Sequence, residues 1–164
     1  MGVSGCGKSR VGRLLAERIG AKFIDADDYH SPASVAKMSR GEPLTDADRA
    51  DWLAALAELF REHRERGVSV VIGCSALKHR YREVLRGGAH ALRIIYLHGD
   101  RELLLSRLNT RHDHFFRGDV LLDNQLRTLE QPTDDEALRI DISEAPDEIV
   151  EQAAQHLGKG AQSR

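Results

Sequence analysis

Cysteine, aromatic side chains and long apolar runs are all scarce in this chain, and each scarcity removes a class of protein. The two cysteines, Cys6 and Cys74, form neither a C-x-x-C pair nor a disulfide framework, which fits a reducing, cytoplasmic setting rather than a secreted scaffold. No zinc-type cluster of Cys and His can be read. No apolar run approaches the ~20 residues that cross a bilayer, and the first residues lack the charged-then-apolar build of a signal peptide. Neither sign of charge dominates: 24 Lys and Arg face 26 Asp and Glu, a net charge of −2. Neither nucleic acid nor a membrane is therefore expected as the main partner. At 164 residues and 41% apolar content the chain suffices for one domain with a real core. We expect that domain over residues 1–157, with a frayed tail over 158–164.

What is present begins at once. Gly2-Val3-Ser4-Gly5-Cys6-Gly7-Lys8-Ser9 fits the phosphate-loop pattern G-x-x-x-x-G-K-[ST] in full. Its glycines allow a tight turn that aims successive N–H groups inward, and a helix starting near Lys8 adds the positive end of its dipole. Lys8 reaches the β- and γ-phosphates of a nucleoside triphosphate, and Ser9 supplies a hydroxyl for Mg²⁺. A phosphate loop is ordinarily the turn between a buried strand and a helix, yet only Met1 precedes Gly2. The expectation is a further run rich in Val, Ile and Leu upstream of Met1.

Beyond the loop, Val11, Leu14, Leu15 and Ile19 recur at helical spacing and Gly20 stops the helix. Ala21 to Ala26 reads as a strand ending in Asp25-Ala26-Asp27-Asp28-Tyr29-His30, carboxylates and an imidazole at the strand end where open α/β sheets bind ligands. Ser31-Pro32 opens a short helix through Lys37-Met38, and Thr45 with acidic residues opens a longer one whose buried stripe includes the single Trp52, read as core. Val68 to Gly73 is a strand buried on both faces, ending at Cys74-Ser75-Ala76-Leu77-Lys78. A helix with Tyr81, Val84 and Leu85 follows, then a strand over Leu92 to Leu97 and a helix from Asp100. Arg107 and Arg111 lie at i and i+4 on that helix, poised for phosphate or base contacts. His112 to Asp119, polar and aromatic with Gly118, reads as a mobile lid. Leu138 to Ile142 is a last strand and Pro146 to Leu157 a closing helix. This alternation predicts an α/β fold, a doubly wound parallel sheet with helices on both faces and its first strand truncated.

Asp25-Ala26-Asp27-Asp28-Tyr29-His30, Pro43-Leu44-Thr45-Asp46-Ala47-Asp48-Arg49 with Trp52-Leu53, Cys74-Ser75-Ala76-Leu77-Lys78 with Tyr81-Arg82, His114-Phe115, and Gln125 with Thr128-Leu129-Glu130 together resemble the gluconokinase family. These are shikimate-kinase-like phosphate-loop enzymes, and the resemblance runs from Gly2 to about Leu157. It implies transfer of the γ-phosphoryl of ATP to the 6-hydroxyl of D-gluconate, with Mg²⁺, in a cytoplasmic and often dimeric enzyme. Ala26, Ser34 and Asn124 depart from the residues usual in that family, as does the lack of a proline after Phe115.

On this reading Gly2, Val3, Ser4, Gly5, Cys6, Gly7, Lys8 and Ser9 cradle the phosphates, Arg107 lies over the adenine, and Arg111 reaches the phosphates on lid closure. Ser9 and Asp25 serve the metal. Asp27 accepts or orients the acceptor hydroxyl. His30, Lys37 and Ser75 join the acceptor site, and Arg49, Lys78 and Arg82 are the candidate cations for the sugar-acid carboxylate. Another small-molecule kinase of this fold, such as a shikimate or nucleoside kinase, and an inactive nucleotide-binding remnant are the alternatives. A GTPase-type switch is disfavoured because no N-K-x-D motif is present.

Overall fold

The computed structural model describes residues 1–110 and 115–161. Helix α1 (Lys8–Ile19) starts directly from the glycine-rich loop, with Gly7 as its N-cap at φ 93° and Gly20 closing it at φ 67°. β1 (Lys22–Asp25) follows and ends in a 3₁₀ turn, Ala26–Tyr29. α2 (Pro32–Ser39) is capped by the Ser31 hydroxyl, with Pro32 in its first turn. α3 (Asp46–Glu65) opens on a capping box in which Thr45 and Asp48 satisfy each other's backbone N–H. β2 (Val70–Gly73), α4 (His79–Gly88), β3 (Ile95–His98) and α5 (Arg101–Asn109) continue the alternation. α6 (Phe115–Thr128), β4 (Leu138–Asp141) and α7 (Pro146–Ala161) complete it.

Two differences from the sequence reading stand out. The segment expected as a lid over His112 to Asp119 lies outside the described residues up to His114, and from Phe115 onward it is the first turn of α6. That helix hides from sequence periodicity because its apolar residues do not all face inward. Leu122 is fully buried, whereas neighbouring Val120 and Leu121 are exposed. At the other end, α7 continues past Leu157 to Ala161, where a tail was expected.

All strand pairing is parallel, as the βαβ alternation requires, but it falls into two ladders: β1 with β2, and β3 with β4. Met1 and Gly2 connect them. The Met1 carbonyl accepts from Leu97 N at 3.0 Å, its amino group donates to Ile95 O, and Gly2 N donates to Ser75 O at 3.3 Å. Burial pushes that amino group down to about 6. Apart from this rung, the facing edges of β2 and β3 border an apolar cavity of about 460 Å³. Val11 and Leu15 of α1, Leu56 of α3 and Leu85 of α4 enclose it. The cavity lies between the two ladders, with Met1 on its border.

The helices form two cores. Val11, Leu15, Leu97, Leu104, Leu122, Ile140 and Ile149 join α1, α5, α6 and α7 to the β3–β4 ladder. Trp52, Leu53, Leu56, Tyr81 and Leu85 join α3 and α4 to the ends of β1 and β2. Between these cores, the C-terminal ends of the strands and the phosphate loop share one edge of the molecule.

Candidate active site

Gly2, Gly5 and Gly7 all take positive φ, at 145°, 84° and 93°. A Cβ on Gly2 would sit 2.5 Å from Leu97 O and one on Gly5 2.7 Å from Leu104 O, so the loop's path against β3 and α5 excludes any side chain there. Lys8 folds over this turn, its ammonium donating to Val3 O at 3.0 Å and lying 3.9 Å from Cys6 Sγ. Ser4 N donates to Gln125 Oε1 of α6 at 2.6 Å. The sequence singled out Gln125 without giving it this contact, for which no local pattern exists between residues 121 positions apart.

One turn into α1, the Ser9 hydroxyl donates to Asp25 Oδ2 at 2.9 Å. A hydroxyl and a carboxylate meeting beside a phosphate loop are hard oxygen donors of the kind Mg²⁺ selects, so the donor set fits the ion expected from the motif. The other Asp25 oxygen accepts from Asp27 N at 3.1 Å, which fixes the turn and sends the Asp27 side chain outward, 85% exposed. His30 closes this turn. Its ring stacks on Trp52 at 4.4 Å between centroids, its Nε2 lies 3.7 Å from Asp27 Oδ1, and its Nδ1 is buried without a partner. Burial holds the ring below the usual imidazole range, against the pull of Asp27. Trp52 is core, as expected, and its Nε1 donates to Ala26 O at 2.7 Å.

On the far side stands a cluster of cations around Tyr81. Lys78, Arg80 and Arg49 lie 5.6, 5.7 and 5.9 Å from its ring centroid. Asp46 joins three of these groups: it accepts from the Tyr81 hydroxyl, from Lys78 at 3.0 Å and from Arg80. The Tyr81 hydroxyl and then the Lys78 ammonium hold its carboxyl down to about 2. Arg49 has no carboxylate partner among the described residues. Lys37 is bound to both oxygens of Asp48, at 2.8 and 2.9 Å, and so ties α2 to α3.

Arg82 requires a correction. It was a candidate for the sugar-acid carboxylate, but it is 1% exposed and every guanidinium nitrogen has a partner inside the protein. Nε and Nη2 hold Glu136 at 2.6 and 3.2 Å, while Nη1 donates to the carbonyls of Ala76 and Leu77 at 3.1 and 3.3 Å. An arginine in the first turn of α4 reads as surface only if its partner, 54 positions away, is unknown. Ser75 does lie at the site edge, after β2, with its carbonyl bonded to Gly2 N. Arg107, expected over a base, donates to Ile142 O at 2.6 Å where β4 ends. Arg111 lies outside the described residues.

A glycine-cradled turn feeding a helix, with a hydroxyl–carboxylate pair beside it, an outward carboxylate two residues on and a cluster of cations around Tyr81, is the working edge of a phosphate-loop kinase. The shikimate kinase family model matches residues 4–158. The gluconokinase of Gluconobacter oxydans is 45% identical, covering 96% of this chain and 88% of its own. The thermoresistant gluconokinase of Escherichia coli is 42% identical over 98% of this chain and 92% of its own. The crystal structure of a gluconokinase from Sinorhizobium meliloti superposes with a TM-score of 0.87 at 42% identity, covering 99% of this chain and 91% of that one. The chain belongs to the gluconokinases of the shikimate kinase family.

Proposed function

We propose that the protein phosphorylates D-gluconate on its 6-hydroxyl at the expense of ATP, giving 6-phospho-D-gluconate. The observation that carries this reading is the turn Asp25-Ala26-Asp27. It offers one carboxylate to the metal position beside Ser9 and, two residues on, a second carboxylate to solvent, while Arg49 and Lys78 gather at the Tyr81 ring. Family membership supplies the sugar acid. Phosphoryl transfer needs positioning and charge neutralisation more than covalent chemistry. The loop N–H groups and Lys8 bind the phosphates, and Lys8 exchanges its contact with Val3 O for phosphate oxygens. Ser9 and Asp25 hold Mg²⁺, which neutralises charge on the phosphates when bound. Asp27 accepts the proton of the attacking hydroxyl or orients it, and His30 lies against the turn that carries it.

For the gluconate carboxylate we assign Arg49, because its fork has no acidic partner among the described residues, with Lys78 in support across the Tyr81 ring. Ser75 takes a sugar hydroxyl. Lys37 acts by bracing α3 through Asp48, Arg107 borders the adenine near Ile142, and Arg111 reaches the phosphates. Among the described residues no helix is long and apolar enough to cross a membrane. We assign the enzyme to the cytoplasm as a homodimer.

A coupled assay with ATP and Mg²⁺, scanning gluconate, shikimate and nucleosides, tests the reading. Turnover on gluconate alone is expected. Turnover on shikimate or a nucleoside instead, or ATP binding with no turnover on any sugar acid, would overturn it.

A further inference from the structure

The stretch Cys74-Ser75-Ala76-Leu77-Lys78 leaves β2 in an unusual path: Ala76 takes φ 45°, the only positive φ at a non-glycine among the described residues. A left-handed alanine persists only where its surroundings fix it. Two clamps do so here. From α4, Arg82 Nη1 donates to the carbonyls of Ala76 and Leu77, while Glu136 holds the rest of the guanidinium. From the segment after α6, Glu130 N donates to Leu77 O at 2.8 Å and the Glu130 carboxylate accepts from His79 N at 2.6 Å. Lys78 stands between the clamped Leu77 and His79, and its ammonium is aimed at Asp46 and the Tyr81 face.

We propose that Arg82 and Glu130 are positioning residues for the acceptor side, holding the strained 75–78 turn so that Ser75 and Lys78 face the sugar acid. The proposal rests on the reading above that this turn meets gluconate. The burial of Arg82 and the pairing of both Glu136 oxygens fit a strut rather than a ligand. They also remove the nearby His79, Glu83 and Glu136 from consideration as a cation site, although their ligand atoms lie within 4.8 Å of one another. Among the described residues no hydrogen bond joins the phosphate loop to Arg82 or Glu130, and its link to this turn is the single bond from Gly2 N to Ser75 O, so the clamps are expected to act on the sugar acid far more than on nucleotide.

The test compares steady-state constants for both substrates in Glu130→Gln, Glu130→Ala, Arg82→Lys and Lys78→Ala, each assayed well below its melting temperature. Glu130 is exposed, so its variants fold even if Arg82→Lys does not. The expected result is a rise of about tenfold in KM for gluconate in Glu130→Ala and Arg82→Lys, with KM for ATP within about twofold. Glu130→Gln, which keeps an acceptor oxygen for His79 N, is expected to recover most of the loss. Melting temperatures that fall while both KM values stay put would overturn the proposal, as would equal rises for ATP and gluconate. Lys78→Ala separates the layers. If it raises KM for gluconate while the Glu130 and Arg82 variants do not, the clamp is wrong and the site stands. If it leaves KM unchanged, the acceptor reading of this turn fails and the clamp falls with it.

Discussion

The phosphate loop is eight consecutive residues, whereas the acceptor edge draws on β1's end, the start of α3, the turn after β2 and the segment from Glu130 to Glu136. The difference lies in what fixes each side. In the loop, backbone N–H groups do the binding, and the requirement on side chains is chiefly their absence: Gly2 and Gly5 leave no room for a Cβ. At the proposed acceptor edge charged side chains would bind, and which cation is available depends on which ones acidic neighbours already hold. Asp48 holds Lys37, Glu136 holds Arg82, Asp46 is shared by Lys78 and Arg80, and Arg49, half-buried over the Tyr81 ring, has no acidic partner among the described residues.

The strongest way to break that contrast is at the loop. The Lys8 ammonium bonds Val3 O and lies near Cys6 Sγ, with no carboxylate partner among the described residues, so Lys8→Ala is expected to leave folding intact and to lower kcat on the order of 10³-fold by removing a transition-state cation. Circular dichroism and a coupled assay check both halves, and a variant within a few-fold of the parent would remove Lys8 from the chemistry. Asp27→Asn comes next. Because the side chain is 85% exposed and pairs with His30 at 3.7 Å, the amide is expected to cut kcat about 10²-fold with little change in KM for gluconate. A change confined to KM would make Asp27 a binding residue and not the base.

A third test concerns the cavity between β2 and β3. Those strands are the facing edges of two separate ladders bordering an apolar space, and burying four or five Val or Ile residues there would add both pairing and apolar contact. A chain extended at Met1 by alternating Val and Ile is expected to melt at least about 5 °C above one extended by Gly and Ser. Equal melting would mean that the cavity does not accept a strand. The smallest effect is on acid stability. The folded Asp46 carboxyl titrates near 2, below its ordinary 3.8, so its contribution is complete above pH 4 and is lost as pH falls toward 2. Melting temperature measured from pH 5 to pH 2 should therefore fall more steeply in the parent than in Asp46→Asn. Parallel curves would show that the exposed cluster contributes nothing.

The same contrast explains what could be read before any coordinates. The phosphate loop, α1 with its Gly20 stop, the Thr45 cap and the four strands carry their signals within a few residues of one another, and each stands close to where the sequence placed it. The turn bearing Asp25 and Asp27 was legible for the same reason. Arg82 was misread because its burial depends on Glu136, and Gln125 was left without a role because its partner is Ser4. α6 was missed because Val120 and Leu121 point outward and blur its period. Local chemistry survives in one dimension, but pairings across more than 50 positions do not.

One measurement sets the two sides directly against each other: calorimetric titration of a non-hydrolysable ATP analogue and of gluconate, separately, into Lys8→Ala and Arg49→Ala. Lys8→Ala is expected to weaken the analogue by at least about tenfold and leave gluconate within about twofold, and Arg49→Ala to do the reverse. If either substitution weakened both ligands equally, or if Arg49→Ala left gluconate binding unchanged, the division of labour between loop and acceptor edge would be contradicted.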